Sequence, residues 1–480
     1  MRIAHVITRM IIGGAQENTL FNCQDLVTEH GDEVLLICGP ETGPEGDLLG
    51  RSPNSQNPPP TRGRPSQGRP SQGRPSQGRA SQGRAEQGRA GQGGDADQQD
   101  APRPGTDGTG HGTQADIDSD CSSADTNVGD SQRCGESFRY NDVPVRIIDS
   151  LRRAIHPAHD WTASSALRRT LQEFRPDVVH THSAKGGLLG RHVAWGMSRR
   201  SADRKPVVVH TVHGAPFHDY QPAAARQFFI ACERWAARRC HHLISVADAM
   251  TDLMVDAHVA PRNKFTTISS GMDVEPFVHA NDHRERVRKK YGISDDHVVV
   301  GKIARLFHLK GHEDLVRAAR KVADACPNVR FLLVGDGILR QPLQEQIASL
   351  GLTEHFIFTG LVPPSTVPEM IGAMDLLVHT SYREGLARAL PQALIAGKPT
   401  ISYDIDGARE VVLNDQTGYL VAPGDEQDLA NRIIHLTSHP DIRMQQGRTG
   451  QQRFTEQFRH QTMTKKIREM YQELLANTAR

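Results

Sequence analysis

Arg305 and Lys310 stand five residues apart in the run Gly301 to Gly311, directly after an apolar stretch. Two fixed cations beside a helix N-terminus suit a pyrophosphate better than a single charge. Their donors meet several phosphate oxygens and the helix dipole adds to the field. A second polar stretch runs from Asp375 through His379, Glu384 and Gln392 to Gly397-Lys398-Pro399. It reads as strand, polar loop and helix, with Gly397 at the C-cap and Pro399 blocking continuation. Glu384 falls at the N-terminal end of that helix, with Gln392 eight residues later, about 12 Å along the axis and about 80° round. Such a pair can touch the two ends of one extended ligand. Pro391, inside the same run, predicts a kink.

Glycines mark two further loops. Gly13-Gly14 follows the apolar run Arg2–Ile7 and opens a helix. Without Cβ atoms the backbone there can approach an anion at the helix N-terminus, or the pair is simply a turn. The spacing is not G-x-G-x-x-G, which argues against a dinucleotide cofactor. Gly335-Asp336-Gly337 also ends an apolar run, and reads either as a tight turn or as a close approach to a base or ribose.

The elements that must hold these loops alternate along the chain. Strand-like runs at Arg2–Ile7, Glu33–Ile37, Val145–Ile148, Asp177–His180, Val207–Thr211, Leu243–Val246 and Phe265–Ile268 are separated by helix-like stretches such as Ala223–Arg239. A second series comprises Val298–Ile303, Arg330–Val334, Phe356–Thr359, Asp375–His379, Thr400–Tyr403 and Tyr419–Val421. Runs without polar alternation suit strands covered on both faces. Strand–helix alternation implies parallel strands joined by right-handed crossovers. The expected fold class is therefore α/β, two Rossmann-like doubly wound domains facing across a cleft, with ligands at the carboxyl ends of the strands. Residues 1–50 with 138–272 form the first expected domain and 273–425 the second, with Asp273–Asp296 as hinge. Residues 426–480 read as C-terminal helices.

Residues 51–137 break the pattern. Their only large apolar side chains are Ile117 and Val128, too few to offset roughly 1–2 kcal/mol of backbone entropy per residue. A five-residue unit, Gly-Arg-Pro-Ser-Gln and its degenerate copies, repeats from Gly63 to Gly93. It is far too short for a solenoid repeat and composed like a flexible tether, so a disordered insertion is expected. Residues 62–89 carry seven Arg and one Glu, and residues 95–136 ten acids and two Arg. That segregation admits either a self-attracting loop or an arm for an acidic partner. Over all 480 residues the net charge is only +1, which gives no reason to expect nucleic acid. No run of 18 apolar residues occurs, and no signal-peptide pattern opens the chain. Seven scattered cysteines without a Cys-x-x-Cys pair suggest free thiols in a reducing cytoplasm.

Seven pieces, in order, carry a resemblance: Gly13-Gly14-Ala15-Gln16, Asp177 to Gly187, His210 to Gly214, Gly271-Met272-Asp273, Arg305 with Lys310-Gly311, Val334 to Gly337, and Glu384 to Pro399. Together they resemble glycosyltransferase family 4, retaining enzymes of the glycogen-synthase-like superfamily with the GT-B fold. The resemblance implies a nucleotide-diphosphate sugar donor held mainly by the second domain. Arg305 and Lys310 would hold the diphosphate and stabilise charge on the departing nucleotide, so no metal and no cofactor are implied. Glu384 would bind the sugar hydroxyls, with the Gly385 amide and Leu386 beside the sugar and Gly335, Asp336, Gly337 and Gln392 completing the donor site. His213 would face the reaction centre from the first domain. Gly13, Gly14, His182 and Lys185 are the acceptor- or phosphate-side candidates. Asp404–Asp406 has Asp-x-Asp spacing but is not expected to hold a metal.

One position departs from the family pattern of Glu, seven residues, Glu: residue 392 is Gln, which accepts without charge and adds donors. Altered donor affinity with retained chemistry is expected. The implied acceptor is a glycan, lipid-linked or small-molecule hydroxyl, and the implied place is the cytoplasm, with peripheral association at the membrane face open. Two rival readings stand beside this one, a non-catalytic nucleotide-sugar-binding scaffold and a sugar-nucleotide epimerase.

Overall fold

Runs such as Val207–Val212 bury every residue, and burying both faces of such strands requires helices above and below a parallel sheet. The computed structural model describes residues 1–40, 47–49, 137–200 and 205–478. The insertion expected at 51–137 lies outside them apart from Ser137. The first sheet contains β1 (Arg2–Val6), β2 (Glu33–Cys38), β3 (Ser137–Tyr140), β4 (Val143–Ile147), β5 (Val178–His182), β6 (Val207–Val212), β7 (His242–Ser245) and β8 (Phe265–Thr267). Their order is β3-β4-β2-β1-β5-β6-β7-β8. The second contains β9 (Val298–Ile303), β10 (Val329–Val334), β11 (Phe356–Gly360), β12 (Leu376–His379), β13 (Thr400–Tyr403) and β14 (Gly418–Val421), in the order β11-β10-β9-β12-β13-β14.

Among the described strands every pairing is parallel except β3 against β4. That antiparallel edge strand was not expected. Its turn, Asn141-Asp142, has φ of 46° and 67°, the left-handed pair that closes a two-residue hairpin. In both sheets the strand order reverses beside the first strand, between β1 and β5 and between β9 and β12. Those switch points are where a crevice opens at the carboxyl ends. The loops singled out in the sequence as Gly13-Gly14, His182–Lys185, Arg305–Lys310 and Glu384 follow β1, β5, β9 and β12.

Apolar clusters cover both faces of each sheet. The chain crosses between the lobes earlier than the expected hinge. Met272 N–H donates to the Phe458 carbonyl and His460 N–H to the Met272 carbonyl, at 2.8 and 3.2 Å. Residues 273–296 instead belong to the second lobe: Phe277 and Val287 lie in its core, and Arg284 and Arg288 both pair with Asp375 at 2.7 and 2.6 Å. The C-terminal helices also divide. Glu426–Ser438 lies on the second lobe, whereas His460–Thr478 returns to the first, placing Met463, Ile467, Met470 and Tyr471 among Ile3, Ile7, Leu36 and Val209. Among the described residues no helix is long and apolar enough to cross a membrane.

Candidate active site

The loops after β9 and β12 meet backbone to backbone. Gly311 has φ +61°, and a Cβ there would lie 2.0 Å from the Thr380 carbonyl oxygen, so only glycine fits. This packing lets the Lys310 ammonium reach the Glu384 carboxylate in an ion pair that is one-quarter exposed on each side. Arg305 is exposed on the same β9 loop with its guanidinium 5.0 Å from the Phe307 ring centre. The β10 loop is bonded to it, since Leu306 N–H donates to the Asp336 carbonyl at 2.9 Å. The approach explains both glycines. A Cβ on Gly335 would lie 2.2 Å from the Ala304 carbonyl and one on Gly337 2.4 Å from that of Leu306. Asp336 spends its carboxylate on the Gly337 N–H and on Arg340, at 2.8 and 2.9 Å.

Glu384 does not begin a helix. The helix starts at Ala389, because Gly385 interrupts it and the loop is tied sideways. The Glu384 N–H donates to Asp406 Oδ2 at 2.7 Å, and the Gly385 carbonyl accepts from Gly407 N–H at 3.1 Å. Pro391 consequently sits in the first turn, where its missing N–H removes no intrahelical bond, so the expected kink has no cause. Gln392 is half-buried in that short helix, not on one helical face with Glu384.

The opposite lobe closes on this loop. A Cβ on Gly385 would stand 2.9 Å from the His213 carbonyl oxygen, and Leu386 packs into the cores of both lobes. Arg383 donates to the Ala215 carbonyl at 2.7 Å. Arg388 pairs with Glu17, and its Cδ would meet a Cβ on Gly14 at 2.7 Å. A side chain on Gly14 would therefore have to displace the other lobe's arginine. Residues 283–453 match the family described as glycosyl transferases group 1, and residues 121–271 match the glycosyl transferase 4-like domain. Between them they span more than half of the chain, one on each lobe. The chain belongs to glycosyltransferase family 4.

Relatives agree with that membership. The glycosyltransferase is 28% identical to the 2-deoxystreptamine glucosyltransferase of Streptomyces kanamyceticus over 52% of its own length and 66% of the relative's. It is 28% identical to the UDP-Gal:alpha-D-GlcNAc-diphosphoundecaprenol alpha-1,3-galactosyltransferase of Escherichia coli over 62% and 76%. Its fold matches that of Anabaena Alr3699/HepE, crystallised with UDP, at a TM-score of 0.68 and 18% identity, covering 98% and 100% of the two chains. That likeness establishes the GT-B fold.

On the first lobe of the glycosyltransferase, His213 is half-buried and its Nε2 lies 3.1 Å from His182 Nδ1; His182 Nε2 in turn lies 3.0 Å from His5 Nδ1. His182 is only 1% exposed. With both nitrogens occupied, it lies behind His213 and does not face an acceptor. Burial pushes the pKa of His213 down to about 4, helped by Arg388 nearby, and burial pushes that of His5 down to about 3. These rings are neutral at pH 7. The Lys185 ammonium is also engaged, with Asp160 at 2.6 Å and the Ala154 carbonyl, so it stabilises a loop here. His5, His180 and His182 bring ring nitrogens within 4.8 Å of one another, near enough for a metal. Five of the six nitrogens are already bonded, to each other, His213, Tyr471 and Thr211. Asp404 is held by Arg409 at 2.9 Å and Asp406 by the Glu384 N–H, so that pair offers no shared face for a cation.

Two residues whose roles were not read from the sequence complete the C-terminal crevice. Lys302, fully buried on β9, donates to Thr380 Oγ1 at 2.8 Å; burial first, then Lys310, pulls its pKa down to about 7. His379, 3% exposed at the end of β12, has no hydrogen bond on either nitrogen and places Nε2 3.7 Å from Glu384 Oε1. The signal was present in each case: a polar side chain inside a doubly covered apolar strand needs a partner or a use.

Proposed function

We propose that this glycosyltransferase moves a sugar from a nucleotide-diphosphate sugar, with UDP as the nucleotide, to a glycan or lipid-linked hydroxyl, with retention and without a metal. The observation that carries the reading is the Lys310–Glu384 pair at the second switch point, closed against His213 by Gly385. A donor entering this crevice exchanges that internal pair for two complementary ones: diphosphate on Lys310 with Arg305, and sugar hydroxyls on Glu384. UDP in the Anabaena relative and the diphosphoundecaprenol substrate named for the E. coli relative support the donor and acceptor classes.

The acceptor oxygen attacks the anomeric carbon on the face from which UDP departs. The carbon–oxygen bond to the diphosphate breaks, its electron pair stays on the phosphate oxygen, and that oxygen takes the acceptor's proton. Arg305 and Lys310 stabilise the negative charge as it develops. The lobes exclude water when closed. No membrane span is needed for a lipid-linked acceptor, which would be met at the cytoplasmic face. The test is a mass-spectrometric screen of UDP-sugars for UDP release, with and without acceptor, on wild type and Glu384→Ala. Anomeric configuration of the product is read by NMR. Retained donor binding with no turnover in either protein would favour the scaffold reading, for which Gln392 and the long insertion are the motives. UDP release without any acceptor would favour the epimerase.

A further inference from the structure

Three imidazoles form a single file from the core of the first sheet to the cleft. His5 sits on β1, His182 ends β5, and His213 follows β6; successive nitrogens are 3.0 and 3.1 Å apart. His5 and His182 are 0% and 1% exposed, so neither touches a substrate. Each neutral ring has one N–H and one lone pair. Because His182 uses both nitrogens, its single proton can serve only one neighbour, and the other neighbour must donate to it. Both bonds therefore form in only two proton orders. In the first, every ring carries its proton on Nδ1, His5 donating to His182 and His182 to His213. In the second, every proton sits on Nε2 and the file runs the other way.

The two orders differ at the ends. His5 Nε2 is buried without a partner. In the first order it is a bare lone pair, and in the second it is an N–H donor with nothing to accept it. Orphaned buried N–H groups are rare, and an unsatisfied acceptor is tolerated more often. The first order also places an N–H at Nδ1 of His213, the nitrogen not facing His182. We propose that His5 and His182 are positioning residues that fix the tautomer of His213, so that it meets the donor sugar as a hydrogen-bond donor through Nδ1 and not as a base. The inference rests on the donor-facing role of His213 given above, but its proton order is measurable without turnover.

The test uses the full chain with ¹⁵N-labelled histidine, the His213 signals being assigned by their loss in His213→Gln. Wild type is expected to show Nδ1 protonated and Nε2 bare. His5→Leu removes the first donor, and the expected result is a mixture of both His213 tautomers with the same melting temperature within a few degrees. His5→Asn puts an amide N–H where Nδ1 was and is expected to restore the single tautomer. In the transfer assay His5→Leu should lower kcat in proportion to the fraction of His213 that leaves the Nδ1-protonated form, about twofold for an even mixture, with KM for donor little changed, and His5→Asn should recover most of it. A bare Nδ1 on wild-type His213, or the same tautomer in wild type and His5→Leu, overturns the proposal. If the tautomer behaves as stated but no variant transfers sugar, the functional reading fails and the histidine file stands.

Discussion

Glu384 and Lys310 satisfy each other in an ion pair, so removing either frees the other for the wrong work. Lys310→Met leaves Glu384 beside the neutral His379, and leaves the diphosphate to Arg305 without its partner cation. Loss of one such charge-stabilising group typically costs 10²–10³-fold in kcat. Steady-state UDP release should fall by about that factor, while the melting temperature moves by only a few degrees because the pair is partly exposed. Lys302 behaves differently. Its pKa is depressed to about 7, so between about pH 7 and pH 10 the unfolded chain binds more protons than the folded one, and stability rises with pH across that window. Lys302→Met removes this penalty and the bond to Thr380 together. The variant-minus-wild-type difference in melting temperature should therefore be most positive at pH 7 and shrink towards pH 10. A difference flat in pH would mean that Lys302 stays charged in the fold.

At the scale of elements, glycine decides how closely two loops approach. Gly385→Ala inserts a Cβ 2.9 Å from the His213 carbonyl oxygen, so the two lobes must part by several tenths of an ångström or the β12 loop must tilt. Expected is a loss of kcat of about 10²-fold from misplacement of the carboxylate, with each lobe still folded by circular dichroism. Unchanged kcat would show that the lobes need not meet here during turnover. These elements also show what the sequence made legible. The strands other than β3 were readable because short apolar runs such as Val298–Ile303 and Thr400–Tyr403, alternating with helix-like stretches, suit doubly covered β-structure, and they were placed to within a residue or two. The start of the helix at Ala389 was not readable. What ends the strand-to-helix loop is the Glu384 N–H bonding to Asp406, 22 residues away, and no local pattern reports a tertiary bond. The hairpin at Asn141-Asp142 did carry its own signal, hidden beside a long polar segment. Glu384, Lys310 and His213 were recognisable by motif, whereas Lys185 and His182 were recognised without their partners Asp160 and His5, which lie 25 and 177 residues away.

Over the whole molecule, the last helix ties the ends of the chain together. His460–Thr478 buries Met463, Ile467, Met470 and Tyr471 in the first lobe's core, each worth roughly 1.5–3 kcal/mol as an upper bound. It also supplies the partners of buried polar groups. His460 and Thr464 each approach Asp25 Oδ2 at 2.8 Å, Arg468 meets Asp32 at 2.8 Å, and the Tyr471 hydroxyl bonds His180. A chain ending at Arg459 would expose the apolar groove and leave Asp25 and Asp32 without these partners. The summed loss approaches the 5–15 kcal/mol that stabilises an ordinary domain. The first lobe is therefore expected to lose its cooperative melting and become protease-sensitive. The second lobe, whose core includes none of these four side chains, should keep a protected fragment beginning near residue 273. Tyr471→Phe keeps the helix docked and removes only the hydroxyl, so it should cost about 1 kcal/mol. If the truncated chain melts as one transition within a few degrees of wild type, the helix is an ornament on the first lobe and not its missing layer.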